Sequence, residues 1–160
     1  MAKRSHFRKD RLIQQKRHDA YQEVTKLPEP TECQKCHAVY VGGRWTWKRV
    51  KENSHQTTCP ACLRIEQNFP AGIVELSGAF FLEHRGEILN LVRNIEEKEK
   101  DAHPLERIMK IEDDNSSSII TTTGIHLARR IGEALHRAYK GDYNFQYGDQ
   151  DKQILVKWER

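Results

Sequence analysis

Residues 33–65 read CQKCHAVYVGGRWTWKRVKENSHQTTCPACLRI, and they hold all four cysteines of the 160-residue chain, Cys33, Cys36, Cys59 and Cys62. The cysteines fall as two C-x-x-C pairs. Each pair puts two thiolates on one side of a tight turn, and two such turns facing each other make the tetrahedral S4 site that Zn2+ prefers. A structural zinc ion held by these four residues is the reading of this stretch. A rubredoxin-type iron would use the same pairs, so the spacing leaves zinc and iron open. Two disulfides would require an oxidising compartment, and MAKRSHFRKDRL at the start has no apolar signal-peptide core. A redox C-x-x-C has no need of a second pair. His37 and His55 lie nearby as bystanders, since four thiolates complete the shell.

Between the pairs, VYVGGRWTWKR (39–49) alternates apolar and polar residues on both sides of Gly42-Gly43. That pattern predicts a hairpin whose tight turn needs two positive φ angles, with Trp45 and Trp47 on one face. CPACLRIEQNF (59–69) predicts a helix, with Pro60 in its first turn and helix-start N–H groups favouring the thiolates of Cys59 and Cys62. Knuckle, hairpin and a helix opening on the second pair is the layout of a small treble-clef or zinc-ribbon finger over residues 31–69.

Beyond residue 70 the periodicity alternates between strand and helix. IVELSGAFFLE (73–83) reads as a strand broken near Gly78. EILNLVRNIEEKEK reads as a helix burying Ile88, Leu89, Val92 and Ile95. RIMKIED (107–113) and SIITTT (118–123) read as strands. A helix over 124–140 follows, capped by Thr123, with an apolar stripe of Ile125, Ala128, Ile131, Leu135 and Ala138 and a stop at Gly141. DYNFQYGD and KQILVKWER close the chain as a hairpin. The expected fold is α+β: the finger, then over residues 70–160 a β-α-β-β-α-β-β sandwich with helices on one face of a mainly antiparallel sheet.

Lys and Arg number 27 against 23 Asp and Glu, a net charge of +4 unevenly spread. Residues 1–30 form a basic arm with too few apolar residues for a buried face, ended by Pro28 and Pro30. The arm reads either as a solvated tail or as a segment that orders on RNA. No apolar run is long enough to cross a bilayer, so a membrane is not expected. A basic front half points to a polyanion, with nucleic acid the foremost class. Candidate RNA contacts are Arg44, Lys48 and Arg49 interleaved with Trp45 and Trp47, Arg64 beside the second pair, and His126, Arg129, Arg130, Arg137 and Lys140 on the helix face opposite the apolar stripe. Basic side chains track a phosphate backbone while indoles stack on unpaired bases. The competing roles are an ordinary solvated helix face and tryptophans packed beside the knuckles.

Catalysis finds no support in the motifs. There is no phosphate-cradling glycine loop, no G-x-S-x-G and no H-E-x-x-H. Glu83, His84 and Glu87, or His103 and Glu106, are neighbours of the kind that arise by chance among eight histidines. Four thiolates also leave a metal no open position for water. The chain is therefore read as a non-enzyme, with no small-molecule substrate identified.

The order of features resembles the central region of the large-ribosomal-subunit export adaptors of eukaryotes and their archaeal relatives, the NMD-three family. Cys33, Cys36, Tyr40, Gly43 and Trp45 are similar to that family's C-x-x-C, Tyr, Gly-x-Trp pattern with a one-residue shift. Cys59, Cys62, Arg64, Glu66 and Phe69 follow its C-x-x-C-x-R-x-E-x-x-x-F run, and His126 falls where the family begins a helix with His-Ala. The resemblance implies a partner in ribosomal RNA or the large ribosomal subunit. The family's further cysteine pairs, leucine-rich export signal and acidic tail have no counterpart in the sequence, so nuclear export is not implied. The layout is also similar to small uncharacterised bacterial proteins. A cytoplasmic, ribosome-associated relative is the expectation, with a protein–protein adaptor using the tryptophan hairpin or a sheet face as the alternative.

Overall fold

The computed structural model describes residues 27–49, 53–148 and 152–160. Residues 1–26 of the expected basic arm lie outside the described residues. What is described is a mixed α+β arrangement of two mixed sheets and four helices.

The first sheet is built from β1 (Thr31–Cys33), β2 (Val39–Val41), β3 (Arg44–Thr46) and β4 (His55–Thr57), in the order β3-β2-β1-β4. The β2–β3 hairpin turns on Gly42 (φ +64) and Gly43 (φ +77), as the Gly-Gly pair predicts. Glu29 holds that turn: its carboxylate accepts the N–H groups of Gly42 at 3.2 Å and Gly43 at 2.9 Å. Strand β4 has no sequence signature, because HQT is short and polar. It pairs parallel to β1 with Cys33 opposite Thr57, and this register delivers the second cysteine pair beside the first. Helix α1 (Pro60–Gln67) then starts on Cys59 as its N-cap, with Pro60 in the first turn, and ends on Asn68 in the left-handed conformation.

The second sheet carries β5 (Gly72–Ser77), β6 (Ile108–Asp113), β7 (Ser117–Thr122), β8 (Asp142–Tyr147) and β9 (Ile154–Glu159) in the order β6-β7-β5-β9-β8. Only β5 and β9 pair in parallel; the other three pairings are antiparallel. Helices α2 (Ala79–Glu83), α3 (Arg85–Ala102) and α4 (Ile125–Tyr139) complete it. Strand residues Val74, Leu76, Ile120, Ile154, Val156 and Trp158 meet Ile88, Leu89, Val92, Leu127, Ile131 and Leu135 from α3 and α4 in one buried core. Each such side chain contributes about 1.5–3 kcal/mol on burial. Trp158, fully buried, also places its indole N–H on the carbonyl of Lys140 at 2.7 Å.

Three local expectations are corrected. The strand expected over 73–83 ends at Ser77, and AFFLE turns into α2. At Gly78 (φ +105) the backbone passes so close to Arg160 that a Cβ would sit 2.2 Å from its carbonyl oxygen, so the chain must leave the sheet there. In α4 the stripe runs from half-buried Ile125 through buried Leu127 to half-buried Tyr139, while Ala138 is exposed. Thr123 does not cap α4. Gly124 is the N-cap, and the Thr123 hydroxyl instead donates to the Leu105 carbonyl at 2.6 Å and accepts the Arg107 N–H at 2.9 Å.

Candidate metal centre and adjoining cleft

The knuckle between β1 and β2 is a tight turn closed by Cys33 N–H to the Ala38 carbonyl at 2.8 Å and His37 N–H to the Cys33 carbonyl at 3.0 Å, with His37 at φ +65. It brings Cys33 and Cys36 to one side. Gln34 N–H bonds the Thr57 carbonyl at 2.8 Å, which ties the knuckle to the end of β4. Two residues later Cys59 opens α1, and its sulfur accepts the N–H of Cys62 at 3.4 Å.

The four sulfurs lie within 4.8 Å of one another, and Cys36 and Cys59 are 3.7 Å apart. Sulfurs about 2.3 Å from a common tetrahedral centre stand about 3.8 Å apart, so the donor set fits a metal ion bound by four thiolates. The same geometry leaves its mark on the thiols. Cys36 is lowered to about 4, first by the hydrogen bond with Cys59, then by the Ala38 backbone and Arg107. Cys59 is raised by that same bond and by burial, and Cys62 by burial. His37 turns outward to Glu32 at 2.9 Å, and His55 is exposed on β4, so neither belongs to the cluster.

Arg107, at the edge of the second sheet and 7% exposed, completes the surroundings of the sulfurs. Its Nη1 donates to Cys62 Sγ at 3.2 Å, and its Nη2 to Cys36 Sγ at 3.1 Å and Cys59 Sγ at 3.6 Å. Cys59 N–H donates to Cys33 Sγ at 3.3 Å, so each sulfur receives a hydrogen bond. Burial works against the Arg107 charge, but the hydrogen bond to Cys62 and the charge of Cys36 outweigh it, and its basicity rises. No sequence pattern points to this residue. It lies 45 positions after Cys62, in a stretch read only as a strand.

A cleft of about 830 Å3 opens beside the cluster, between the hairpin on one side and the end of α3 with the start of α4 on the other. It gathers residues that lie far apart in sequence: Arg44, Trp45, Trp47 and Lys48 from the hairpin, His126, Arg129 and Arg130 from α4. Trp45 packs on the cysteine cluster and meets Tyr40 edge-on at 5.7 Å. Trp47 donates its indole N–H to the Lys100 carbonyl at 2.7 Å. Both residues are half-buried, so each combines packing with some exposure. Arg129 pairs with Glu133 at 3.4 Å and lies 4.9 Å over the Phe145 ring; Arg130 pairs with Glu99 at 3.1 Å. Arg44 and Lys48 stand exposed on the hairpin side.

The other candidate contacts fall elsewhere. Arg64 is 4% exposed, donates to the Phe69 carbonyl at 3.1 Å and sits over the Phe69 ring, so it works inside the fold. Arg137 and Lys140 are exposed at the far end of α4, and Arg49 is exposed just after the hairpin; none lines the cleft. Glu106, set aside in the sequence with His103 as a chance neighbour, does line it, as does His103. The carboxylate is pushed up by burial and partly held down by the N–H of Leu127, which it accepts at 3.1 Å. Among the described residues no helix is long and apolar enough to cross a membrane.

Comparison of the chain with protein-family models and with curated proteins finds no match in either.

Proposed function

We propose that the chain is a non-enzymatic zinc-binding protein that associates with RNA, foremost with ribosomal RNA or the large ribosomal subunit in the cytoplasm. An all-thiolate donor set favours zinc or iron over metals that prefer oxygen or nitrogen ligands, and zinc is the ion proposed. Four protein ligands close the coordination shell and leave no place for a reacting water, which supports a structural ion. In this reading the knuckle, the hairpin and helix α1 form a treble-clef finger, and the likeness to the NMD-three family rests on its cysteine runs.

The observation that carries the RNA reading is the cleft. Exposed Arg44 and Lys48 and half-buried Trp45 and Trp47 share one groove with His126 and Arg130 of a different element. Cations beside partly exposed indoles supply phosphate contacts and stacking for unpaired bases. A second reading, a protein–protein adaptor, is supported by the acidic side of the same groove. Glu99 and Glu133 already partner Arg130 and Arg129, leaving a mixed lining of the kind a peptide with both charges would match.

Cosedimentation with ribosomal subunits across a salt series, with nuclease-treated lysate in parallel, separates the two. Comigration that weakens steeply with salt and is abolished by the double substitution Arg44→Glu, Lys48→Glu is the expected result. Absence of comigration at low salt, together with a protein partner that survives nuclease, would replace the RNA reading with the adaptor.

A further inference from the structure

The finger and the second sheet meet through a small set of contacts, and Arg107 stands at the centre of them. Its backbone is fixed to the sheet at both peptide groups: its N–H reaches the Thr123 hydroxyl at 2.9 Å, and its carbonyl accepts the Thr123 N–H at 2.8 Å. Nε is fixed as well, on the Pro104 carbonyl at 2.7 Å. What remains of the guanidinium, the two Nη groups, donates to Cys36, Cys59 and Cys62 of the finger. Around it lie Leu105, packed against the cysteine cluster, the Trp47 ring 5.8 Å from the guanidinium carbon, and the Trp47 indole bond to Lys100.

We propose that Arg107 is a clamp that makes docking of the finger depend on the bound metal, so that metal occupancy assembles or dissolves the cleft. A divalent ion in four thiolates leaves about two net negative charges on the cluster. It also fixes the sulfurs in one array, and the planar guanidinium fork matches that array across three of them. Removing the ion removes the bonds that hold all four sulfurs in one array, and leaves knuckle and helix start joined by the β1–β4 pairing, the Gln34–Thr57 bond and the Cys59 N–H on Cys33 Sγ. The fork then faces sulfurs with no common geometry. The hairpin wall of the cleft belongs to the finger and the facing wall to α3 and α4, so the groove exists only while the clamp is closed. Its consequence for binding rests on the RNA reading above; the clamp itself does not.

The test follows the Trp47 indole N–H, whose partner Lys100 lies across the junction, by hydrogen exchange in NMR spectra of the full chain, without RNA. Chelation of the metal, and separately Arg107→Gln in zinc-loaded protein, should each speed that exchange by about tenfold or more. In Arg107→Gln the zinc content and the amide protection of residues 33–67 should persist. Arg107→Lys, which keeps the charge and loses the fork, carries the same test should the glutamine variant fail to fold. Unchanged exchange on chelation, or in a zinc-loaded Arg107 variant, overturns the clamp. RNA binding is measured last, on the same samples. If wild type binds and the opened variant binds equally well, the link to the cleft is overturned. If wild type does not bind, the functional reading fails and the exchange result still decides the clamp.

Discussion

Helix α4 is capped from outside, and Gly124 is the residue that makes room for the cap. Its N-cap position offers no side chain, and the first-turn N–H of Leu127 goes to Glu106, 21 residues earlier in the chain. Gly124 has an ordinary extended backbone (φ −133), so glycine is required for space and not for conformation. A Cβ there would lie 1.9 Å from Oε2 and 2.2 Å from Cδ of Glu106. Glu106→Ala should cost about 1–2 kcal/mol, the usual value of a lost N-cap acceptor. Gly124→Ala should cost about the same by a different route, since the methyl group drives the carboxylate off Leu127. The two costs therefore should not add. Once Glu106 is gone there is nothing for the methyl to displace, and the double variant should be no more than a few tenths of a kcal/mol below Glu106→Ala, a coupling of about 1 kcal/mol. Urea denaturation of the four zinc-loaded proteins measures the cycle. Additive costs within a few tenths of a kcal/mol would refute the assignment of Glu106 as the cap and of Gly124 as its seat.

The burial of Glu106 has a pH signature as well. Its folded-state pKa lies above the ordinary 4.5, so the folded chain keeps a proton that the unfolded chain has released, and its contribution to stability is present below that value and declines as pH rises through the folded pKa. The stability of wild type relative to Glu106→Gln should accordingly fall as pH is raised from about 4 towards neutrality. Metal loss at acid pH is common to both proteins and cancels in the difference, and a difference that stays flat or rises would contradict the buried carboxylate. Removing a ligand tests the centre itself. Because metal binding supplies on the order of 10 kcal/mol to small thiolate modules, Cys59→Ser should strip amide-exchange protection from residues 33–67 while strands β5 to β9 keep theirs. A finger that stays protected in chelator would show that its fold does not need the ion.

What could be read from the sequence was local. Cysteine pairs with two residues between them favour knuckles or helix starts, and Gly42-Gly43 favours a tight turn. The alternation of residues 117–122 and 154–159 could only settle as strands with one side buried. These patterns depend on neighbours within a few residues, so the donor set, the hairpin and the order of strands and helices were legible. Where the reading failed, a distant partner had decided the matter. Gly78 turns the chain because Arg160 lies against it, Thr123 is drawn to Leu105 and Arg107 instead of α4, and HQT becomes a strand only because β1 offers it an edge. The meeting of Arg107 with three sulfurs, of Glu106 with Leu127, and of the tryptophan hairpin with α4 across one cleft has no periodicity or spacing that could announce it. Such contacts exist only once two separately patterned units are packed together. The sequence by itself therefore determined which four thiolates could hold a metal ion and which elements the chain forms. The tertiary structure alone decided what surrounds those sulfurs and which basic residues share a surface.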